Sequence, residues 1–472
     1  MRFTLIQCSL FLVLRYHQTG GFAFHPLGIE ARGRNNIRVS LHKEDAASSE
    51  EEEKKSVALT KKMLRSLRNR TPALSCSSPV PLNLETDFYD PTTGLHSEGV
   101  WHNCLVGMAS VKLAEVLQEE KDDGQEHYLM DALRIADSLW GHSWDGVSFQ
   151  RRSWSGLWDH SRLQEGADNP PVQANYYRAS TEHRCIQHGV ALMFWSNLIR
   201  NHYLQSQDNE SCYRCHAQYK LVAKQFLHEY WDESTKKWRT VSKSQGGGMV
   251  SRKSASAGAP AAGVDVEAPY YRAVDQAIGL LACLEMMKDD NNELVDNELV
   301  VDIVRSTVQT LLSDFGYQNE KECVTYIGLE RNRNLWHDGW VALALVSCAQ
   351  TCPDCWPEGS DAQSQVGLLL DRLREVYTDE ESGTMWHWPT AQKPGKKNGN
   401  VRYAGDNALW YAICRGWRQG SNDTYHSFWD FVHELQSNGE DGLVSVADVY
   451  PQVRLHPNTE LAFLVLWPVD VQ

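Results

Sequence analysis

The sequence predicts an all-α fold, six helical hairpins closed into an (α/α)6 toroid with short β-turn pieces on its open face. Three observations carry this prediction. A polar-then-apolar opening recurs six times: HNCLVGMAS around Asn103, QHGVALMFW at Gln187, DQAIGLLACL at Asp275, DGWVALALVSC at Asp338, DNALWYAICRGW at Asp406 and NTELAFLVLW at Asn458. The helices that these openings start are apolar all round, which marks burial on every side. Between them run amphipathic segments, and a helix with one apolar face lies against a core with its other face outward. An inner ring of six apolar helices inside an outer ring of six uses both kinds economically.

Taken in order, the folded region opens at 56–68, SVALTKKMLRSLR, which has helical spacing. Inner helices follow at 105–117, 187–204, 275–287, 338–349, 406–417 and 459–466. Outer helices fall at 127–140, 217–231, 294–312, 366–377 and 427–435. In 217–231 the residues Tyr219, Val222, Phe226 and Tyr230 share one face at spacings of three and four. An aromatic, turn-rich piece precedes most inner helices: 88–101, 144–158, 231–242, 315–328 and 377–389, with a looser one at 439–451. The repeat is irregular and longer than the usual solenoid units. Two insertions interrupt it, 242–269, rich in Gly, Ala and Ser, and the basic 390–400. Both join an outer helix to the next inner helix, on the open face, where long loops often act as lids.

The chain has 472 residues, which on length alone suggests about three domains. The repeat argues instead for one domain over 56–472. Hydrophobic content of 42% and charged content of 23% are globular values. With a net charge of −15 and no basic stripe, nucleic acid is excluded as a partner. Residues 1–14, MRFTLIQCSLFLVL, have the length of a signal-peptide core, and Arg15 ends the run too early to span a membrane. No other stretch qualifies, so the mature chain is expected to lack a span. Residues 1–24 are read as a signal or presequence. The segment TGGFAFHP (19–26) resembles the bipartite presequences that target algal plastids, and the basic residues up to Lys43 suit a transit peptide. The expected destination is an algal plastid or secretion. Residues 25–55 read as a disordered transit and linker region, its acidic 44–54 being a solvated linker or the frayed start of a helix.

Cys104, Cys185, Cys283, Cys348 and Cys414 fall in the buried helices, where a free thiol acts as a small core residue. The C-x-x-C pairs Cys212/Cys215 and Cys352/Cys355 have the spacing of a four-thiolate zinc site. The toroid puts them on hairpin junctions well apart round the ring, so local disulfides or free thiols are expected and no metal. There is no phosphate-binding loop and no G-x-S-x-G elbow, which argues against nucleotide-dependent and serine-hydrolase chemistry. No cofactor is expected.

Six hairpins, each with an aromatic turn before its inner helix, resemble the six-hairpin glycosidase superfold, which also houses the N-acylglucosamine 2-epimerases. The resemblance is one of architecture and covers about residues 56–472. It implies a carbohydrate or polyol-bearing small molecule in a central pocket where the inner helices begin. Glycoside hydrolysis commonly uses two carboxyl groups flanking the bond. Asp338 and Asp406 are the best pair and Asp275 the third candidate. Each opens a helix, so each can equally be an N-cap. The relatives that are epimerases move a proton next to a carbonyl with histidines. His337, with His183 or His188, suits that work, because imidazole titrates near working pH. A third reading is a silent binding or assembly protein. Residues placed to line subsites are Trp336, Trp340, Trp386, His387, Trp388, Tyr271, Arg272, Arg402, Tyr403, His188 and His102.

Overall fold

The computed structural model describes residues 43–69, 89–90, 95–96, 99–119, 125–149, 183–201, 209–245, 271–288, 297–318, 333–389, 401–417, 422–437, 443–448, 450–453 and 455–467. The presequence, the insertion beyond Gln245 and the basic 390–400 segment lie outside these residues. The chain divides into two compact units, 1–49 and 50–472, and the second is the toroid.

Twelve α-helices occur among the described residues. They are α1 (Lys43–Asn69), α2 (Val100–Glu119), α3 (Gln125–His142), α4 (Cys185–Arg200), α5 (Asn209–Tyr230), α6 (Ala273–Met287), α7 (Asn297–Ser313), α8 (Leu335–Thr351), α9 (Ala362–Tyr377), α10 (Ala404–Trp417), α11 (Asn422–Ser437) and α12 (Leu455–Leu464). The even-numbered helices pack each on the next, and α12 packs back on α2, so the inner ring is closed. Their sequences explain it. In α8 every residue from Asp338 to Ala349 is buried, as is Leu335. The odd-numbered helices are amphipathic: α7 buries Val300, Ile303, Val304, Val308 and Leu311 and turns its other face outward. The first outer helix is seated through Thr60, whose Oγ1 donates to the Ala462 carbonyl at 3.1 Å, and Ser56, 3.3 Å from the Tyr411 hydroxyl. It begins at Lys43, thirteen residues before the start read from the sequence, and Glu52 is already buried.

Glycines allow the inner ring to close tightly. A Cβ on Gly339 of α8 would lie 2.6 Å from Leu409 of α10, and one on Gly189 of α4 would lie 2.5 Å from Ile278 of α6. Inner-to-outer links are short: 120–124, 201–208, 288–296, 352–361 and 418–421. All the outer-to-inner links are longer, and each leads into the N-terminal end of an inner helix.

Those links carry the β pieces. Strands β1 (Tyr89–Asp90) and β2 (Leu95–His96) pair antiparallel, as do β3 (Trp231–Asp232) with β4 (Lys237–Trp238) and β5 (Ser445–Ala447) with β6 (Tyr450–Val453). Single bridges Trp144–Phe149 and Thr378–Met385 take the same place in the second and fifth hairpins. Cys352 and Cys355 form a disulfide at the end of α8, while Cys212 is half-buried and Cys215 buried on α5. No helix among the described residues is long and apolar enough to cross a membrane.

Candidate active site

The first turn of each inner helix has a fixed grammar. Counting from the residue before the helix, the fourth position holds Asn103, His188, Gln276, Asp338, Asn407 and Asn458. Four of these are amides doing one task, each bonding both the N–H and the C=O of a single residue in the preceding β piece. Asn103 Oδ1 accepts from His96 N at 2.9 Å and its Nδ2 donates to His96 O. Gln276 does this to Trp238, Asn407 to Met385 and Asn458 to Val444, with accepted bonds of 2.8 Å each. A backbone pair inside a protein must be satisfied, and here a side chain supplies both partners.

The two exceptions also fasten their links by side-chain contacts. His188 is fully buried, 2.9 Å from Ser148 Oγ through Nδ1 and 3.0 Å from the Val222 carbonyl through Nε2. Rings of Trp144, Phe149, Phe226 and Tyr230 surround it. Burial pushes its pKa down to about 3, so it stays neutral. Asp338 has no exposure and accepts from four donors on three side chains. Tyr317 OH donates to Oδ1 at 2.7 Å, and Tyr377 OH to Oδ2 at 2.7 Å. Arg333 Nε and Nη2 reach Oδ2 at 2.9 and 2.5 Å. This carboxylate staples Tyr317 and Arg333, which stand either side of the fourth link, to the outer helix α9.

One position earlier the row reads His102, Gln187, Asp275, His337 and Asp406 in the first five hairpins. Asp275 is fully buried in a bidentate pair with Arg272 (2.7 and 2.8 Å) and accepts from Thr240 Oγ1 at 2.6 Å. Arg272, proposed for a subsite, is thereby committed to its own helix start. Asp406 differs. Its Oδ2 lies 2.6 Å from His387 Nδ1, which the fifth link brings over the start of α10. His387 is wedged edge-on between Trp388 (4.4 Å) and Tyr403 (4.8 Å), which fix its plane. Its backbone carbonyl accepts from Leu335 N at 2.9 Å, tying the fifth link to the start of α8. His337 stands two residues on. Its pKa is pushed down to about 3 by burial, then by Arg272 and His387. Hairpins three, four and five therefore bring Arg272, His337, His387 and Asp406 into one electrostatic cluster.

His102 bonds Thr459 Oγ1 at 3.0 Å and so joins the first and sixth hairpins. Trp101 and Trp336, from hairpins opposite in the ring, meet at 6.1 Å, and Trp340, one turn further in, meets Trp101 at 5.3 Å. Trp336 Nε1 donates to Glu460 at 3.2 Å. These tryptophans form a floor across the bore. His183 is paired with Asp145 at 2.6 Å.

Other expected subsite residues serve the frame. Arg402 lies over Trp386 (5.7 Å) and Phe431 (5.2 Å) and pairs with Asp448 at 2.8 Å, so its guanidinium and the Trp386 face are both occupied. Tyr271 OH donates to Asp232 at 3.0 Å and accepts from Thr235, holding the β3–β4 turn. The sequence reading missed Arg333, Tyr317, Tyr377, Asn334 and Asp145. Of these only Asn334 carried a signal, an Asn three residues before His337 where a cap is expected. Among the described residues no cluster of His, Cys, Asp and Glu is arranged to hold a metal.

No family model and no curated protein sequence matches the chain. Solved structures do. A D-mannose isomerase superposes with a TM-score of 0.52 at 11% identity, over 85% of this chain and 96% of its own. A family 76 α-mannanase of Bacteroides thetaiotaomicron gives 0.54 at 10%, over 87% and 94%. A cellobiose 2-epimerase from Bacillus thermoamylovorans gives 0.53 at 11%, over 80% and 93%. The chain has the (α/α)6 six-hairpin fold of these proteins.

Proposed function

We propose that the protein is a carbohydrate-active enzyme that moves a proton at the carbon next to a sugar carbonyl, an aldose–ketose isomerase or 2-epimerase. The observation that carries this reading is the His387–Asp406 pair, with His337 in the same cluster. A carboxylate on Nδ1 leaves Nε2 to take the carbon-bound proton and stabilises the imidazolium that forms. His337, neutral, accepts a substrate hydroxyl and holds the sugar against His387. The tryptophan floor supplies apolar faces for the ring C–H bonds.

Hydrolysis by Asp338 with Asp406 is less well supported, because the Asp338 oxygens are taken up by Arg333, Tyr317 and Tyr377. A hydrolase reading now rests on Asp406 with Glu460, whose Oε2 lies against Gly405 beside Asp406. The test is a panel of aldoses, ketoses and oligosaccharides incubated with the purified chain, with sugar identity and reducing ends read by chromatography. The expected result is a changed monosaccharide unit without new reducing ends. Turnover should fall by about 10²–10⁴ in Asp406→Asn. New reducing ends, lost in Glu460→Gln, would replace this reading with hydrolysis.

A further inference from the structure

The two histidines of the cluster are held by different groups. His387 has a carboxylate on Nδ1, whereas His337 has an amide: Asn334 Oδ1 lies 2.9 Å from His337 Nδ1. The same Oδ1 accepts from the His337 backbone N–H at 3.0 Å, which makes Asn334 the N-cap of α8. These two contacts settle the proton positions. A backbone N–H can only donate, so the Asn334 atom facing it is the oxygen. An amide oxygen can only accept, so His337 Nδ1 carries the hydrogen and Nε2 carries the lone pair. One atom therefore caps the helix and selects a tautomer.

We infer that Asn334 is a positioning residue. It fixes His337 as the Nδ1–H tautomer and, by offering an amide where His387 has a carboxylate, keeps the two imidazoles unequal, so that His387 is the one that takes the carbon-bound proton and His337 remains a neutral acceptor. This rests on the proton-transfer reading of the site. The groups that bear on His337 fit the division. Arg272 at the head of α6 and His387 from the fifth link both disfavour a positive charge on it. A carboxylate in the place of Asn334 would oppose them, and Asp is the one change that does this while still capping a helix as well as Asn.

The test uses the full chain with imidazole nitrogens labelled by ¹⁵N and His337 assigned from its loss in His337→Gln. Three proteins are compared between pH 5 and 8: wild type, Asn334→Asp and Asn334→Ser. In wild type His337 is expected as a non-titrating Nδ1–H tautomer. Asn334→Ser, which keeps a cap but withdraws the oxygen, should give mixed tautomers. Asn334→Asp should make His337 titrate within the range. Similar thermal midpoints of the three proteins would separate this from lost folding. An Nε2–H tautomer in wild type, or one unmoved in Asn334→Ser, would overturn the inference. If the tautomer behaves as expected while no sugar is turned over, the positioning role stands and the proton-transfer reading fails.

Discussion

Asp338 and Asp406 look alike in the sequence and are unlike in the fold, and the difference gives a prediction. Asp338→Asn would take from the Arg333 guanidinium the buried carboxylate it shares with Tyr317 and Tyr377. Breaking a buried pair from one side costs about 3–5 kcal/mol. The expected variant has a much lower unfolding midpoint in urea yet retains turnover once folded. Asp406→Asn should show the reverse, losing turnover with a smaller change of midpoint. Equal stability in Asp338→Asn and wild type would contradict the stapling role. The sequence could not separate these two residues because polar side chains occupy both the third and the fourth positions of the first turn. In the sequence pattern Gln187, Asp275 and Asp406 fall level with Asn103 and Asp338. In the helices they stand one residue short, and His188, Gln276 and Asn407 take the fastening position. Which of two neighbours turns towards the link depends on helix phase, and that is set by where the helix starts.

At the scale of the element, much was legible. The alternation of all-apolar and one-faced helices gave the two rings, because burial on every side leaves a mark in composition that survives errors of boundary. In five of the six hairpins the described part of the aromatic piece before the inner helix holds a β pairing, and in four the structure adds a reason for its regular placing: a side-chain amide from the helix bonds both backbone groups of one residue in the piece. The early start of α1 was only half legible, since its acidic run reads equally as a solvated linker or a frayed helix start until Glu52 is seen beneath Trp429 and Tyr411. Glycine in the inner helices marks contact between neighbours. Gly339→Ala would press a methyl group against Leu409 Cδ2, and overpacking of this kind costs about 1–3 kcal/mol. A lowered denaturation midpoint is expected, and Gly339→Ala with Leu409→Ala should recover part of it. No change in Gly339→Ala alone would show that α8 and α10 have slack.

For the whole molecule, buried neutral histidines predict sensitivity to mild acid. His96 and His188, in the first two hairpins, are both pushed down to about 3 by burial. Unfolded, each titrates near 6.5, so above that pH neither costs stability. Below it the unfolded chain binds protons that the fold refuses, and stability falls as pH drops towards 3. Each should contribute up to about 1.4 kcal/mol per pH unit. Urea unfolding at pH 7, 6 and 5 checks this, and His188→Gln should flatten the slope. The central claim is that hairpins three to five assemble a proton-transfer site, and solvent exchange tests it most directly. The purified chain would be incubated in D₂O with a panel of aldoses and ketoses, and carbon-bound deuterium read by NMR. Deuterium is expected at the carbon next to the carbonyl, absent with His387→Gln and present with folded Asp338→Asn. Sugars turned over with no such deuterium in any variant, and with new reducing ends instead, would contradict it.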